Sequence, residues 1–210
     1  GPVKYSPQPE DNWKQFFRTG KTFTNTIAVS GGSEKGTYRL AVSDMRNEGI
    51  VPKNSLKRQN INLLASLNVT KKLMVETKVN YIRQSGYNRP ETGGLLTSPV
   101  ASLMITPRFI DLEWQKNYKR ENGTPIGWKA GSPNNPYWLI NELTSKDDRD
   151  RVIGYVLARY KFTNWLSLQA RTGTDFYNET RRVRIGINTP GSLDGSIAND
   201  MYKVKESNSD

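Results

Sequence analysis

The sequence predicts an all-β protein, built as an antiparallel up-and-down meander of about six strands. Apolar and polar residues alternate with a period of two over several segments, and the connections between these segments alternate between short and long. A third observation limits the class further. No apolar run approaches the roughly 18 residues that a membrane-spanning helix needs, so a helical membrane protein is excluded.

Four strands are predicted within residues 23–85. In the clearest of them, Leu63 and Leu67 alternate with polar residues, so one side of the strand is apolar and the other is polar. A tight two-lysine turn at 71–72 leads to the next strand, where Val75 and Val79 continue the apolar side. The predicted strand ranges are about 22–30, 37–47, 57–70 and 73–85.

The rest of the chain is divided by one long insertion, residues 86–149, which is rich in Gly, Pro and Asn. It contains one predicted short helix, because Ser98 is a good N-cap and Pro99 suits the first helical position. Two further strands are predicted at about 150–162 and 166–185. Residues 1–22 are predicted as an irregular entry loop with a short helix opened by Asn12, and residues 186–210 as loop.

The connections differ in length at the two ends of the predicted sheet. They are short at 31–36, 71–72 and 163–165, medium at 48–56, and very long at 86–149. Bacterial barrels show this asymmetry, with short periplasmic turns and long extracellular loops. A soluble β-sandwich has equally good alternation, and residues 150–162 favour it because both faces of that strand are partly apolar. The residues alone therefore leave barrel and sandwich as equal alternatives.

The composition argues against enzymatic chemistry. The chain has no His and no Cys, which removes the commonest general base, the Ser-His-Asp arrangement, the cysteine nucleophile and nearly every zinc site. The net charge of +11 raises nucleic acid as a partner, but the basic clusters lie far apart and none adjoins an aromatic stacking motif. We expect no catalytic residue, no cofactor, no metal and no nucleic-acid partner.

Two acidic clusters and one basic cluster could bind a ligand or could simply be solvated. Asp147, Asp148 and Asp150 lack the ligand spacing of a calcium loop, and a solvated charge run is favoured. The carboxylates of residues 111 and 113 form a pair only because acidic residues are common. For the basic stretch, contact with lipopolysaccharide phosphates and solvation are the alternatives; its members are Arg181, Arg182 and Arg184.

Several ordered segments resemble the early barrel of SusC/RagA-type TonB-linked outer-membrane proteins of Bacteroidetes. Each segment alone is weak, but they occur in family order over about residues 5–180. They are Ser6-Pro7-Gln8-Pro9, Phe16-Phe17-Arg18-Thr19-Gly20, and residues 29–36, 47–52, 56–58, 88–93, 135–138, 163–168 and 171–175.

The resemblance implies an arc of a large transmembrane β-barrel in the cell outer membrane. Such a transporter imports oligosaccharides or peptides, with a SusD-like surface lipoprotein outside and energy from the TonB complex through a plug domain. Six strands cannot close even an eight-stranded barrel, so we expect the remaining barrel to be absent from this sequence. The sequence also departs from the family pattern in showing no plug and no TonB-contact motif, so we expect the plug domain to be absent as well. The alternative function is a soluble secreted β-sandwich module that binds glycan.

The insertion concentrates aromatic residues that are candidates for contact with a partner or a substrate, against the alternative that they form the loop's own small core. These candidates are Trp114, Tyr118, Trp128, Tyr137 and Trp138. Charged residues predicted on the interior side of the wall would solvate the lumen or pair with the plug. They are Arg39, Glu76, Lys78, Arg159 and Arg171.

Overall fold

The computed structural model describes residues 12–90, 97–129 and 135–210. Within these ranges seven strands form a single antiparallel sheet, in which each strand pairs with the next one in sequence. The strands are β1 (Lys21–Ser33), β2 (Gly36–Glu48), β3 (Ser55–Asn68), β4 (Leu73–Tyr87), β5 (Leu143–Lys161), β6 (Ser167–Ile185) and β7 (Ser196–Ser209). The all-β meander is confirmed.

Helices are few and short. A 3-10 helix spans Asn12–Phe16, and the described parts of the insertion contain three α-helices: α1 (Pro99–Ile105), α2 (Leu112–Gln115) and α3 (Pro136–Glu142). No helix among the described residues is long and apolar enough to cross a membrane. The segments at 6–9 and 91–93 that carry part of the family resemblance lie outside the described residues.

Register assigns every strand residue to one of two faces, because directly opposed residues of an antiparallel pair project to the same side. Leu63 opposes Val79 and Leu67 opposes Val75, so the prediction that these four residues share one side is confirmed. We call this side the apolar face. It also carries Ile27, Val42, Val156 and Leu168.

The other side, the polar face, collects the charged residues that the sequence assigns to the interior of the wall. Arg39 and Lys78 both oppose Leu64, and Glu76 and Arg171 both oppose Leu157. Arg159 opposes Met74 on the same face. The predicted division of the strands into two faces of different polarity is therefore correct.

The two ends of the sheet differ as the loop lengths predict. Short turns join β1 to β2, β3 to β4 and β5 to β6 at one end. The connections 49–54, 88–142 and 186–195 all leave the other end, which we call the long-loop end. Within the described residues β1 and β7 each pair on one side only, so the sheet is open rather than closed into a barrel.

Two predicted boundaries are wrong. Residues 196–209 form β7 instead of loop, because their backbone pairs along β6 from Thr172 to Ile185 although their side chains are largely polar. Strand β5 begins at Leu143 rather than near residue 150, which shortens the insertion to 88–142. The charged run 146–150 fits a strand because its side chains find partners: Arg89 binds Asp147 at 2.7 Å, and Lys146 pairs with Asp148 at 2.8 Å.

Candidate functional site

The connections at the long-loop end fold together into one unit, which we call the cap. It combines the 3-10 helix, the connection 49–54, the described parts of the insertion and the connection 186–195. Its apolar core brings together residues from three of these segments: Phe16, Val51, Leu103, Leu112, Tyr137 and Ile140. A loop of this length needs such a core, because its backbone and apolar side chains would otherwise lie in water.

Side-chain caps start the helices of the insertion. The Ser98 hydroxyl accepts a hydrogen bond from the Ala101 amide at 3.2 Å, and Pro99 follows it, so the helix predicted at this point is confirmed. Asn135 caps α3 with the same pattern: its side chain accepts from the Tyr137 amide at 2.9 Å, and a proline follows. The Asn-Pro pair was the signal that could have predicted α3.

Two residues attach the cap to the sheet. Asn88, at the end of β4, has a φ of 47°, a left-handed conformation that asparagine tolerates better than most residues. Its side chain donates to the Ile140 carbonyl at 3.2 Å and accepts from the Ser145 amide at 3.0 Å. Asn54 donates to the Asn88 carbonyl at 2.9 Å. The connection 49–54, the strand end and α3 are therefore held in one arrangement.

The entry segment is also built into the cap. The side chain of Asn12 donates to the Ile110 carbonyl at 2.8 Å and accepts from the Leu112 amide at 3.2 Å. Asn12 therefore joins the insertion, in place of the predicted role as cap of its own helix. Arg18 donates to the carbonyls of Gly49 and Asn54 at 2.9 and 2.8 Å.

The five candidate aromatics of the insertion separate into core and surface. Trp138 is completely buried and its indole Nε1 donates to the Thr189 hydroxyl at 3.2 Å. Tyr137 is buried beside Phe16, and Tyr118 packs edge-on against Trp138 with ring centroids 6.1 Å apart. Trp128 is half-buried. Trp114 is 50% exposed, so among the five it presents the largest surface to a partner.

An apolar surface that the sequence does not predict lies next to these residues. Trp13 is 48% exposed and Met104 is 81% exposed, and both line a groove of about 520 Å³ between the 3-10 helix and α1. Leu112 lines the same groove, two residues before Trp114. We call Trp13, Met104 and Trp114 the cap patch. No spacing in the sequence brings Trp13 close to Met104; only the folded cap does.

Titratable groups of the cap serve its structure. Burial raises the pKa of Tyr137 above its ordinary value. The hydrogen bond from Lys116 to Glu113, at 2.6 Å, raises the pKa of the lysine. Asp111 caps α2 by accepting from the Glu113 amide at 2.9 Å. Asp111 and Glu113 therefore both have structural partners.

The polar face carries a network of ion pairs across β5 and β6. Glu179 is buried and binds both Arg149 and Arg181, the latter at 2.5 Å, while Arg151 binds Asp175. On the same face the Tyr155 hydroxyl donates to Glu76 at 2.7 Å. Of the three predicted arginines at the end of β6, only Arg181 joins this network. Arg182 and Arg184 project from the apolar face.

Other acidic residues are also engaged. The Tyr81 hydroxyl donates to Asp150 at 2.5 Å, and Asp147 and Asp148 are ion-paired. In the described part of the chain, no group of three or more His, Cys, Asp or Glu residues is arranged to hold a metal ion. The candidate functional features are thus surfaces. They are the exposed apolar face, the polar face with its ion pairs, and the cap.

We compared the chain with protein-family models, curated proteins and solved structures. No protein-family model matches the chain, and no curated protein matches it. The chain is similar to the RagAB peptide importer in its closed-closed state, with 16% identity and a TM-score of 0.71, and in its open-open state, with 18% identity and a TM-score of 0.72. A structure of the RagAB peptide transporter matches with 18% identity and a TM-score of 0.66.

In each case the match covers 93% of this chain and 22% of the other chain. At these identities the similarity establishes the fold. The chain therefore has the fold of a stretch of a chain in the RagAB structures, and it spans about a fifth of the length of the chains that it matches.

Proposed function

We propose that the chain is a wall segment of a TonB-dependent outer-membrane transporter. The apolar face carries this proposal. Ile27 is 76% exposed, Leu168 62% and Leu67 53%, and they belong to a continuous apolar surface rather than to scattered positions. Apolar patches of this extent are rare on monomeric soluble proteins, whereas lipid covers them in a membrane barrel.

The remaining features support the same function. The charged residues predicted for the interior of the wall, among them Arg39, Glu76 and Lys78, lie on the polar face, and the interior of a barrel is polar. At the end with short turns, the rings of Tyr160 and Phe162 pack with their centroids 4.8 Å apart, and Trp165 is 83% exposed. Aromatic residues in this position suit the aromatic girdle of a membrane interface. The soluble β-sandwich would require a second sheet over the apolar face, and the described residues form one sheet.

Partner and substrate follow from the family resemblance as part of the proposal. A SusD-like surface lipoprotein would meet the cap, where the cap patch offers aromatic and thioether surface of the kind that protein interfaces use. The imported solute would be a peptide or an oligosaccharide, and the RagAB structures are described as those of a peptide importer. TonB would act through a plug domain carried by the complete transporter.

The test uses two adjacent leucines on opposite faces. Leu63 projects from the apolar face, while Leu64 projects from the polar face between Arg39 and Lys78. In the complete transporter we expect Leu63→Glu to lower the free energy of unfolding by about 1–2 kcal/mol, because a carboxylate on the lipid face is costly. Leu64→Glu should be tolerated, because two cations flank it.

The measurement is the amount of folded protein in the outer-membrane fraction, together with its urea unfolding midpoint in lipid vesicles. The proposal predicts a loss for Leu63→Glu alone. Equal behaviour of the two variants, or recovery of the wild-type protein in the soluble fraction, would contradict it.

A further inference from the structure

Positively charged side chains lie directly opposite each other on the apolar face, near the long-loop end. Arg46 of β2 is the Cα partner of Lys57 on β3, and Lys146 of β5 is the partner of Arg182 on β6. Arg184 lies two residues beyond Arg182 and projects from the same face. Like charges directly opposite each other destabilise a sheet, so this arrangement calls for compensating anions.

The acids of this region compensate only part of the charge. Asp44 binds Arg46 at 2.9 Å, and Asp148 binds Lys146 at 2.8 Å. Lys57, Arg182 and Arg184 are exposed, and none of them has an ion-pair partner in the described part of the chain. On the polar face of the same two strands, by contrast, Arg149, Arg151 and Arg181 each bind a carboxylate.

The cations lie at one edge of the apolar surface. On β3, Lys57 precedes Ile61 by four residues, about 13 Å along the strand, and on β6, Arg182 follows Phe176 by six residues, about 20 Å. Ile61 and Phe176 both belong to the apolar face. A molecule that reaches from the cations along this face would therefore meet charge first and then hydrocarbon-like side chains.

We propose that this basic rim (Arg46, Lys57, Lys146, Arg182 and Arg184) binds the phosphate groups of an anionic lipid whose acyl chains lie along the apolar face. Arginine binds phosphate through paired, charge-assisted hydrogen bonds, and the adjacent apolar surface suits the acyl chains of the same molecule. This continuity of charge and apolar surface selects a lipid over a free anion. The inference rests on the proposed membrane location and adds a lipid class to it.

The test measures lipid binding to the complete transporter in detergent. The probe is bis-phosphorylated lipid A, compared with dephosphorylated lipid A and with inorganic phosphate. The rim variant is Arg182→Gln combined with Arg184→Gln. The control is Arg39→Gln combined with Lys78→Gln, which removes the same charge from the polar face, where neither residue has an ion-pair partner among the described residues.

Wild type and control should bind phosphorylated lipid A equally, and the rim variant should bind it about tenfold or more weakly, which corresponds to about 1.4 kcal/mol or more. Arg182→Lys combined with Arg184→Lys keeps the charge and should retain most of the affinity. Unchanged affinity in the rim variant, or full displacement of lipid A by inorganic phosphate, would overturn the inference.

Membrane fractionation of the same variants separates this inference from the proposed function. If all of them reside in the outer membrane but bind lipid A alike, only the lipid inference fails. If wild type is absent from the membrane, the proposed function fails and the lipid inference fails with it.

Discussion

At the scale of single residues, the burial of each aromatic side chain in the cap indicates whether it stabilises the cap or can contact a partner. Trp138 is completely enclosed and hydrogen-bonded to the connection 186–195, while Trp114, 24 positions earlier, is half exposed. The sequence predicts that both lie in the insertion, but tryptophan is equally suited to a core and to an interface. Only the packing around each ring separates the two roles.

This division predicts different outcomes for two substitutions. Trp138→Ala should destabilise the cap by about 3–5 kcal/mol, because a large buried side chain leaves a cavity. Trp114→Ala should change stability by about 0.5 kcal/mol or less and should weaken binding of a SusD-like lipoprotein if the cap patch meets it. Hydrogen exchange of the amides in 97–129 reports the first effect, and a binding titration reports the second. Faster exchange in both variants would show that Trp114 also serves the core.

At the scale of elements, the strands were predictable where apolar alternation is strong and less predictable where charges replace it. The range of β6 was predicted within one residue, and β1 to β4 within about three. The start of β5 and all of β7 were missed. Their polar side chains carry a weak periodic signal, and what fixes them is backbone pairing to neighbours that are distant in sequence.

The ion-pair network predicts how β5 and β6 are held together. Glu179 is buried between Arg149 and Arg181, so Glu179→Gln leaves two arginines without their carboxylate. We expect a loss of about 1–3 kcal/mol, since both arginines keep partial contact with solvent. Glu206→Gln is the control, because this exposed carboxylate on the same face has no ion-pair partner among the described residues. Thermal unfolding in detergent should separate the variants, and equal midpoints would contradict the assigned role.

At the scale of the whole molecule, the sheet has two faces and two ends of different character. The loop lengths predicted the difference between the ends, and the alternation predicted the faces. The cap was predictable only in part, because its core joins residues as far apart in sequence as Phe16 and Tyr137, and the loops that form it lack the alternation that marks the strands. The cap patch depends on that same long-range packing.

The sidedness of the two ends is open to direct labelling, because the chain has no cysteine and single cysteines can be introduced cleanly. Glu121 is exposed in the cap, and Lys71 is exposed in a short turn. We expect a membrane-impermeant maleimide added to intact cells to label Glu121→Cys and to leave Lys71→Cys unlabelled until the outer membrane is permeabilised. Labelling of Lys71→Cys alone in intact cells would reverse the orientation.

The central claim is that one face of the sheet contacts lipid and the other does not. Spin labels on single cysteines at Leu63 and Leu64, which are adjacent in sequence and project from opposite faces, test it most directly. In the reconstituted transporter, the label at 63 should be relaxed by oxygen dissolved in the bilayer and protected from a water-soluble nickel reagent. The label at 64 should not share this lipid exposure. Equal accessibility of both labels to the nickel reagent would show that the apolar face meets water, and would contradict the claim.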